Sequence, residues 1–317
     1  MPNPKIVIPD DYPPVLAPSQ AYQNLTSRTA VDYYDTLPGS EERLIERLRD
    51  AEIVFNIRSS CKFSANVFAA CPRMRMLSIW GTGTDNIDLA AAVRHGVTVT
   101  NTPGVSAPSI AEHSLALMLA VARQIPRIDA QVRQGQWPRG FVTQMYGKTL
   151  GIIGLGAIGR RFAELGAGIG MRVIAWTMHP NPALGFELVE LDQLLRTSDV
   201  VSIHLRLSDQ TRGFLGPRQL GLLKPTAILV NTARGALVDE VGLLETLSSR
   251  RIAGAGLDVF DQEPLPPGHP LTKLDNVVLT PHSAGVTPEA LEAGLQLSVD
   301  NVWNFLAGKP TYVVAGP

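Results

Sequence analysis

The chain is poor in cysteine, and neither sign of charge is in appreciable excess. Its two cysteines, Cys61 and Cys71, are separated by nine residues, and neither belongs to a CxxC or Cys/His pattern. This spacing argues against a disulfide scaffold and a structural zinc site, and two lone thiols suit a reducing cytoplasm. The formal net charge is -1, and no five like charges stand together. The densest charged stretch is Glu41-Glu42-Arg43 with Glu46, Arg47, Arg49 and Asp50 following. It mixes both signs, as a solvated helix face does and a nucleic-acid patch does not. The longest apolar run, Leu115–Ala122, is far too short to span a bilayer. The opening Met1-Pro-Asn-Pro-Lys-Ile-Val-Ile8 lacks the apolar core of a signal peptide. The expectation is a cytoplasmic protein with neither a membrane nor a nucleic acid as partner.

With 317 residues, 45% of them hydrophobic and 18% charged, the composition suits a globular protein of about two domains. Its most informative motif is Gly154-Leu155-Gly156-Ala157-Ile158-Gly159, directly after the apolar run Leu150–Ile153. A strand entering G-x-G-x-x-G and then a helix is built to hold a pyrophosphate. The glycines allow a tight turn, a close approach of the phosphate and close helix packing, and the helix N-terminus faces the anion. About half the chain precedes the motif, so the dinucleotide domain is central.

The first hundred residues carry five short β-rich runs, at 5–8, 31–34, 53–57, 76–80 and 97–100, with helical stretches between them. That alternation predicts a small parallel α/β domain. A helix follows at 107–122, with Ser106 as N-cap and Pro108 in its first turn. It is apolar nearly all round, which predicts burial between domains or between subunits. Met74, Met76, Met118 and Met171 read as core or interface filler. From 150 onward six apolar runs begin near Leu150, Arg172, Val200, Ala227, Ala255 and Asn276. They predict six parallel strands in two mononucleotide-binding halves, a Rossmann doubly wound sheet. A last helix, Thr287 to Leu306, opens at Pro288 and closes at Gly308; it is expected to return to the first domain. The predicted organisation is a discontinuous substrate domain of residues 1–101 and 286–317 around a dinucleotide domain of residues 102–285.

Ligands of open α/β sheets gather beyond the carboxyl ends of the strands. Past the late strands stand Thr232-Ala233-Arg234-Gly235, then Phe260 to Glu263, then Pro281-His282 and Gly285. A cation, a carboxylate and an imidazole would therefore converge on the side that a nicotinamide reaches. Each also has a plainer reading. Arg234 would pair with Asp239, Glu263 would be a solvated loop carboxylate, and His282 would be a loop histidine like His95 and His269. His113, on the apolar helix, reads as a hydrogen-bonded structural histidine rather than a metal ligand; no metal is expected.

The chain resembles the D-isomer-specific 2-hydroxyacid dehydrogenases. The resemblance rests on Gly81 to Asp88, Asn101-Thr-Pro-Gly104, Ala111-Glu-His113, the glycine loop, Asn231 to Gly235, Gly256 to Phe260 with Glu263-Pro264, and Pro281 to Gly285. It implies a flavodoxin-like fold for the smaller α/β substrate domain. It also implies transfer of a hydride between a nicotinamide cofactor and a small 2-oxo or D-2-hydroxy acid. In that reading His282 is the acid/base, and Glu263 hydrogen-bonds the imidazole, favouring its charged form. Arg234 binds the substrate carboxylate, and Asp258 fixes the carboxamide. The backbone N–H groups of Thr82 and Gly83 complete the carboxylate cradle, and Arg58 and Ser59 line its outer wall. Further cofactor contacts fall to Gly154, Gly156, Ala157, Ile158, Gly159, Thr232, Ala233, His282 and Gly285. His204 would either touch the adenosine or simply pack. A homodimer is expected on the same resemblance.

Two positions depart from the pattern. The acid expected about 20 residues after the glycines is Thr177, with His179 nearby and no arginine following. NAD is favoured, and NADP stays open. Ala157 stands where many relatives carry arginine, leaving the pyrophosphate to backbone amides and Arg160. A dinucleotide-sensing corepressor of the same fold is the alternative; the short stretch after the last helix favours the enzyme. A Rossmann hydrolase that keeps NAD bound would not need the Arg/Glu/His trio. With no regulatory domain in the sequence after residue 317, an allosterically controlled phosphoglycerate dehydrogenase is less expected.

Overall fold

A computed structural model describes residues 4–57 and 60–317. The chain forms two compact units, one of residues up to Ser106 with Thr287–Pro317, the other Ala107–Val286. The first unit opens with five strands, β1 (Ile6–Ile8), β2 (Val31–Tyr33), β3 (Ile53–Asn56), β4 (Met76–Ile79) and β5 (Thr98–Thr100). Between them run α1 (Gln20–Thr26), α2 (Glu41–Leu48), α3 (Ala65–Ala70) and α4 (Leu89–Arg94). Each helix begins at an oxygen-bearing side chain that accepts a backbone N–H of the first turn: Ser19, Ser40, Ser64 and Asp88. All five predicted runs become strands. They pair in parallel in the order β2-β1-β3-β4-β5, the flavodoxin-like arrangement.

The second unit begins with α5 (Ala107–Ala122) and α6 (Ile125–Arg133). Then come β6 (Thr149–Ile153), α7 (Ala157–Gly168), β7 (Arg172–Trp176), β8 (Glu187–Leu188), α8 (Leu191–Thr197) and β9 (Val200–Ile203). It closes with α9 (Pro217–Leu220), β10 (Ile228–Asn231), α10 (Glu240–Ser248), β11 (Gly254–Leu257) and β12 (Val277–Leu279). All seven strands are parallel, in the order β12-β11-β10-β9-β6-β7-β8. The winding reverses between β6 and β9, and the crevice for a ligand lies at such a switch point. Alternate strand residues face opposite layers. Ile153, Val201, Ile203, Leu229 and Leu257 pack with Leu194, Leu243 and Leu247 on one side. Leu150, Ile152, Val200 and Val230 pack with Leu117, Met118 and Phe162 on the other.

One detail of this unit differs from expectation. The sheet has a seventh strand, β8, formed by two residues that pair with Ile174 and Ala175. Two residues show neither alternation nor an apolar run, so only the exposed edge of β7 defines it. Helix α5 packs on α7 and on β10, β11 and β12 of its own unit. It buries Ala111, Ser114, Leu117, Met118 and Ala122, while Glu112 and Ala116 are exposed. The four methionines noted above are all buried.

The chain re-enters the first unit through α11 (Pro288–Leu306), capped by the Thr287 hydroxyl on the Ala290 N–H. Leu295, Val299 and Val302 of this helix join Ile6, Ile8, Ile53, Phe55 and Met76 on one face of the sheet. Val7, Val54 and Leu77, the alternate residues, pack with Leu44, Val67 and Phe68 on the other. A strand not expected from the sequence, β13 (Val313–Ala315), then adds antiparallel to β5. Three small apolar residues after Lys309-Pro310 carry no strand period; the free edge of β5 orders them. No helix among the described residues is long and apolar enough to cross a membrane.

The glycine loop gives a test of this packing. A Cβ at Gly159 would lie 2.0 Å from the Gly154 carbonyl oxygen, backbone that cannot step aside. Gly159→Ala is therefore expected to destabilise the fold by about 1–3 kcal/mol, read by chemical denaturation. An unchanged midpoint would contradict the close helix–strand approach.

Candidate active site

The dinucleotide half is assembled at the ends of β6 and β7. Gly154 has φ +99, a conformation that a side chain disfavours, and donates its N–H to the Trp176 carbonyl at 2.8 Å. Gly156 is the N-cap of α7, and nothing lies within 4 Å of where its Cβ would be. A helix of 12 residues thus presents its N-terminus across an open cradle, which fits a pyrophosphate. Ala157 is exposed and Ile158 half-buried beside it, and Arg160 is exposed one position beyond Gly159. Thr177 is half-buried directly past β7, followed by exposed Met178 and His179.

His204 leaves the end of β9 with its N–H on the Ile153 carbonyl at 2.8 Å. Its ring turns to the Ser202 hydroxyl at 2.9 Å and meets Phe162 edge-on at 5.7 Å between centroids. Burial pushes its pKa down to about 3, so the ring is neutral.

The ionisable trio stands past β10, β11 and β12. Asn231, the last residue of β10, organises the Arg234 turn with both ends of its amide. Its Oδ1 accepts the Ala233 N–H at 3.0 Å and its Nδ2 donates to the Arg234 carbonyl at 2.9 Å. The Arg234 guanidinium donates to the Ala233 carbonyl at 2.7 Å. Asp239, its alternative partner, caps α10 by accepting the Gly242 N–H at 2.6 Å. Gly235 lies so near the Phe260 backbone that a Cβ would be 2.0 Å from its carbonyl carbon, so the Arg234 turn and the Glu263 loop are held together.

Glu263 accepts the Phe260 N–H at 2.9 Å through Oε1 and meets His282 Nδ1 at 2.6 Å through Oε2. Burial pushes its carboxyl up. The hydrogen bond and charge of His282, the Phe260 N–H and the Arg234 charge outweigh this and leave it below the usual carboxylate range. With Nδ1 tied to Glu263, the ring's other nitrogen, Nε2, lies on the side away from the carboxylate.

His282 itself has φ +53, sparsely populated by residues other than glycine. Asp258 holds it there. The Asp258 carbonyl accepts the His282 N–H at 2.7 Å. Its fully buried carboxylate accepts the Thr280 hydroxyl at 2.6 Å and the Ser283 and Ala284 N–H groups at 2.9 Å each. This is a different task from the carboxamide contact implied by the family resemblance, because the carboxylate is turned into the loop. Thr232 is buried with its hydroxyl 2.9 Å from that of Ser114, and Gly285 is half-buried at the end of the His282 loop.

Thr280 is an organising residue not singled out in the sequence, and Asn231 entered only as the first residue of its motif. Both stand at or just past a strand's carboxyl end. Thr82 and Gly83 belong to the first unit, in a turn where Gly81 donates its N–H to Thr102 Oγ1 at 2.7 Å and Asn101 reaches the Thr82 carbonyl at 3.1 Å. Arg58 and Ser59 lie outside the described residues. Among the described residues no cluster of His, Cys, Asp and Glu could hold a metal ion.

A doubly wound sheet with an open glycine loop and an imidazole–carboxylate pair at the same strand ends defines a dinucleotide-dependent enzyme domain. Residues 115–284 match the pattern described as "D-isomer specific 2-hydroxyacid dehydrogenase, NAD binding domain". A glyoxylate reductase of Aeropyrum pernix is 41% identical over 304 residues, covering 92% of this chain and 90% of that one. A D-3-phosphoglycerate dehydrogenase of Archaeoglobus fulgidus is 40% identical over 278 residues, 86% of this chain and 52% of that one, so the chain spans about half of that relative. A solved structure, the acyclic imino acid reductase Bsp5 in complex with NADPH and D-Arg, is 31% identical. It covers 98% of this chain and 99% of its own, with a TM-score of 0.89. The chain belongs to the D-isomer-specific 2-hydroxyacid dehydrogenase family. It is an oxidoreductase of CH–OH donors with an NAD(P) cofactor.

The Glu263 shift has a definite sign. A carboxyl held below its ordinary value stabilises the fold above that value, about 4.3, and loses the contribution as pH falls through the folded value. The difference in melting temperature between the wild type and Glu263→Gln is expected to be largest near neutral pH and to shrink below about pH 4. A difference independent of pH would contradict the pairing with His282.

Proposed function

We propose that the chain reduces a small 2-oxo acid to the D-2-hydroxy acid, and oxidises the alcohol in reverse, with His282 as the acid/base. The observation that carries this reading is the 2.6 Å contact between His282 Nδ1 and Glu263 Oε2, with the charge of Arg234 acting on the same carboxylate. The cofactor, when bound, would supply a hydride to the carbonyl carbon in reduction and take one up from the alcohol in reverse. His282 gives its Nε2 proton to the ketone oxygen, which becomes the hydroxyl, and Glu263 balances the imidazolium beforehand. The planar guanidinium of Arg234 binds the substrate carboxylate and polarises the carbonyl. In reverse, His282 would take the hydroxyl proton at Nε2. In this reading the first unit is the substrate domain, and the backbone N–H groups of Thr82 and Gly83 are its donors to the substrate carboxylate.

The open Gly156 cradle, Ala157, Ile158, Thr232, Ala233 and Gly285 would hold the dinucleotide, while Asp258 serves it through the loop that it braces. NAD is the favoured cofactor because Thr177 can hydrogen-bond a ribose hydroxyl and no arginine follows. A homodimer is supported by exposed apolar residues on and after α6, namely Ile125, Val132, Trp137, Phe141 and Tyr146. A reducing cytoplasm is supported by Cys61 and Cys71, both free and buried, whose pKa values burial pushes up to about 12 and about 11.

Steady-state kinetics with glyoxylate, hydroxypyruvate, pyruvate, phenylpyruvate and phosphohydroxypyruvate test the function. His282→Ala is expected to lower kcat by roughly 10²–10⁴-fold with cofactor affinity nearly unchanged. Arg234→Ala should lower kcat/KM by roughly tenfold to a hundredfold and raise KM. Surviving turnover in the first variant, or a normal KM in the second, would overturn the assignments. The wild type should show a higher kcat/KM with NADH than with NADPH; the reverse order would assign the Thr177 pocket to a 2′-phosphate.

A further inference from the structure

Helix α5 lies unusually close to the sheet because β11 carries glycines where it crosses. A Cβ at Gly256 would be 2.8 Å from Leu117 Cβ, and one at Gly254 would be 2.9 Å from Val121 Cγ1. Residues four apart share a helix face, so His113, Leu117 and Val121 form one stripe over β11 and β12. The close approach brings His113 to the end of β12. Its Nε2 lies 2.9 Å from Thr280 Oγ1 and 3.6 Å from Asp258 Oδ1. The Thr280 hydroxyl has one proton, and it is donated to Asp258 Oδ1 at 2.6 Å. The contact with His113 therefore runs the other way: Nε2–H donates and Thr280 Oγ1 accepts. The next residue, Ser114, ties Thr232 at the end of β10, so α5 braces both strands flanking β11.

We propose that His113 is a positioning residue for His282, acting through Thr280 and Asp258. Its N–H fixes the Thr280 rotor, the rotor fixes the Asp258 carboxylate, and the carboxylate holds the Ser283 and Ala284 N–H groups that keep His282 at φ +53. Without this chain the 281–284 loop relaxes toward commoner backbone angles, and the imidazole swings from its place against Glu263. His113 touches no reacting atom. The proposal rests on the acid/base reading of His282, but the loop geometry can be measured without turnover.

The test uses His113→Phe, which keeps a ring and removes the donor, His113→Gln, whose Nε2 replaces it, and Thr280→Val. In the apoprotein, hydrogen exchange at the Ser283 and Ala284 amides is expected to accelerate by about tenfold in His113→Phe and Thr280→Val, the loss of roughly one hydrogen bond. Exchange should return toward the wild-type rate in His113→Gln. In turnover, kcat should fall by about fivefold to tenfold in the first two variants, with KM and NADH affinity changed less than twofold. The double variant His113→Phe/Thr280→Val should be no slower than the worse single, because both cut one chain. Wild-type amide exchange in both single variants, failure of Gln to restore it, or additive losses in the double variant would each overturn the proposal. Altered exchange in a chain that turns over none of the 2-oxo acids would support the loop assignment and overturn the function instead.

Discussion

One buried carboxylate sets the geometry of the site. Asp258 has no contact with water, and a charge so placed is tolerated only with its acceptors filled. Its donors come from three consecutive positions of one loop and a threonine two residues before them: the His282 N–H meets its carbonyl, and Thr280, Ser283 and Ala284 meet its carboxylate. Any other path for that loop strands the carboxylate without partners. The requirement therefore reaches outward to the imidazole, to Glu263 and to the field that Arg234 places on it. The site is preorganised by a residue that is itself hidden from solvent.

The dinucleotide half is ordered by closeness rather than by charge. Where β6 meets α7, Gly154 and Gly159 approach to a distance that only hydrogen atoms permit, and Gly156 leaves its side-chain position open. The result is a helix N-terminus with room in front of it, suited to a phosphate by the dipole and the free N–H groups of its first turn. The same device recurs at Gly235 and Gly256, which draw separate loops and layers together. Net charge contributes little to ligand capture in a chain whose charges nearly cancel; local groups do it.

Much of this architecture was readable from the residues. The strands whose residues are buried on both faces, such as Ile53–Asn56 and Val200–Ile203, appear as apolar runs because a parallel sheet covers both sides. The glycine loop and the Arg234, Glu263 and His282 positions follow from the rule that ligands gather at strand ends. The edges were not readable: β8 and β13 exist because a neighbouring strand offers unpaired backbone groups, which leaves no period in the sequence. Nor were the roles of Asn231 and Thr280 readable, since common polar residues gain meaning only from what faces them. The Asp258 side chain was the harder case. Its position was visible, but whether a strand-end carboxylate points out to a ligand or in to its own loop depends on where the next strand's loop passes.

The left-handed backbone at His282 bears on how this site would fare under selection for stability alone. Glycine or asparagine would occupy that conformation with less strain, so the backbone and the chemistry ask for different residues at one position. A histidine kept there marks a place where foldability has been overruled. Stability-guided redesign, or a consensus drawn from the backbone's own preferences, would tend to replace the imidazole proposed as acid/base, and the expected product is a sturdier and inert protein.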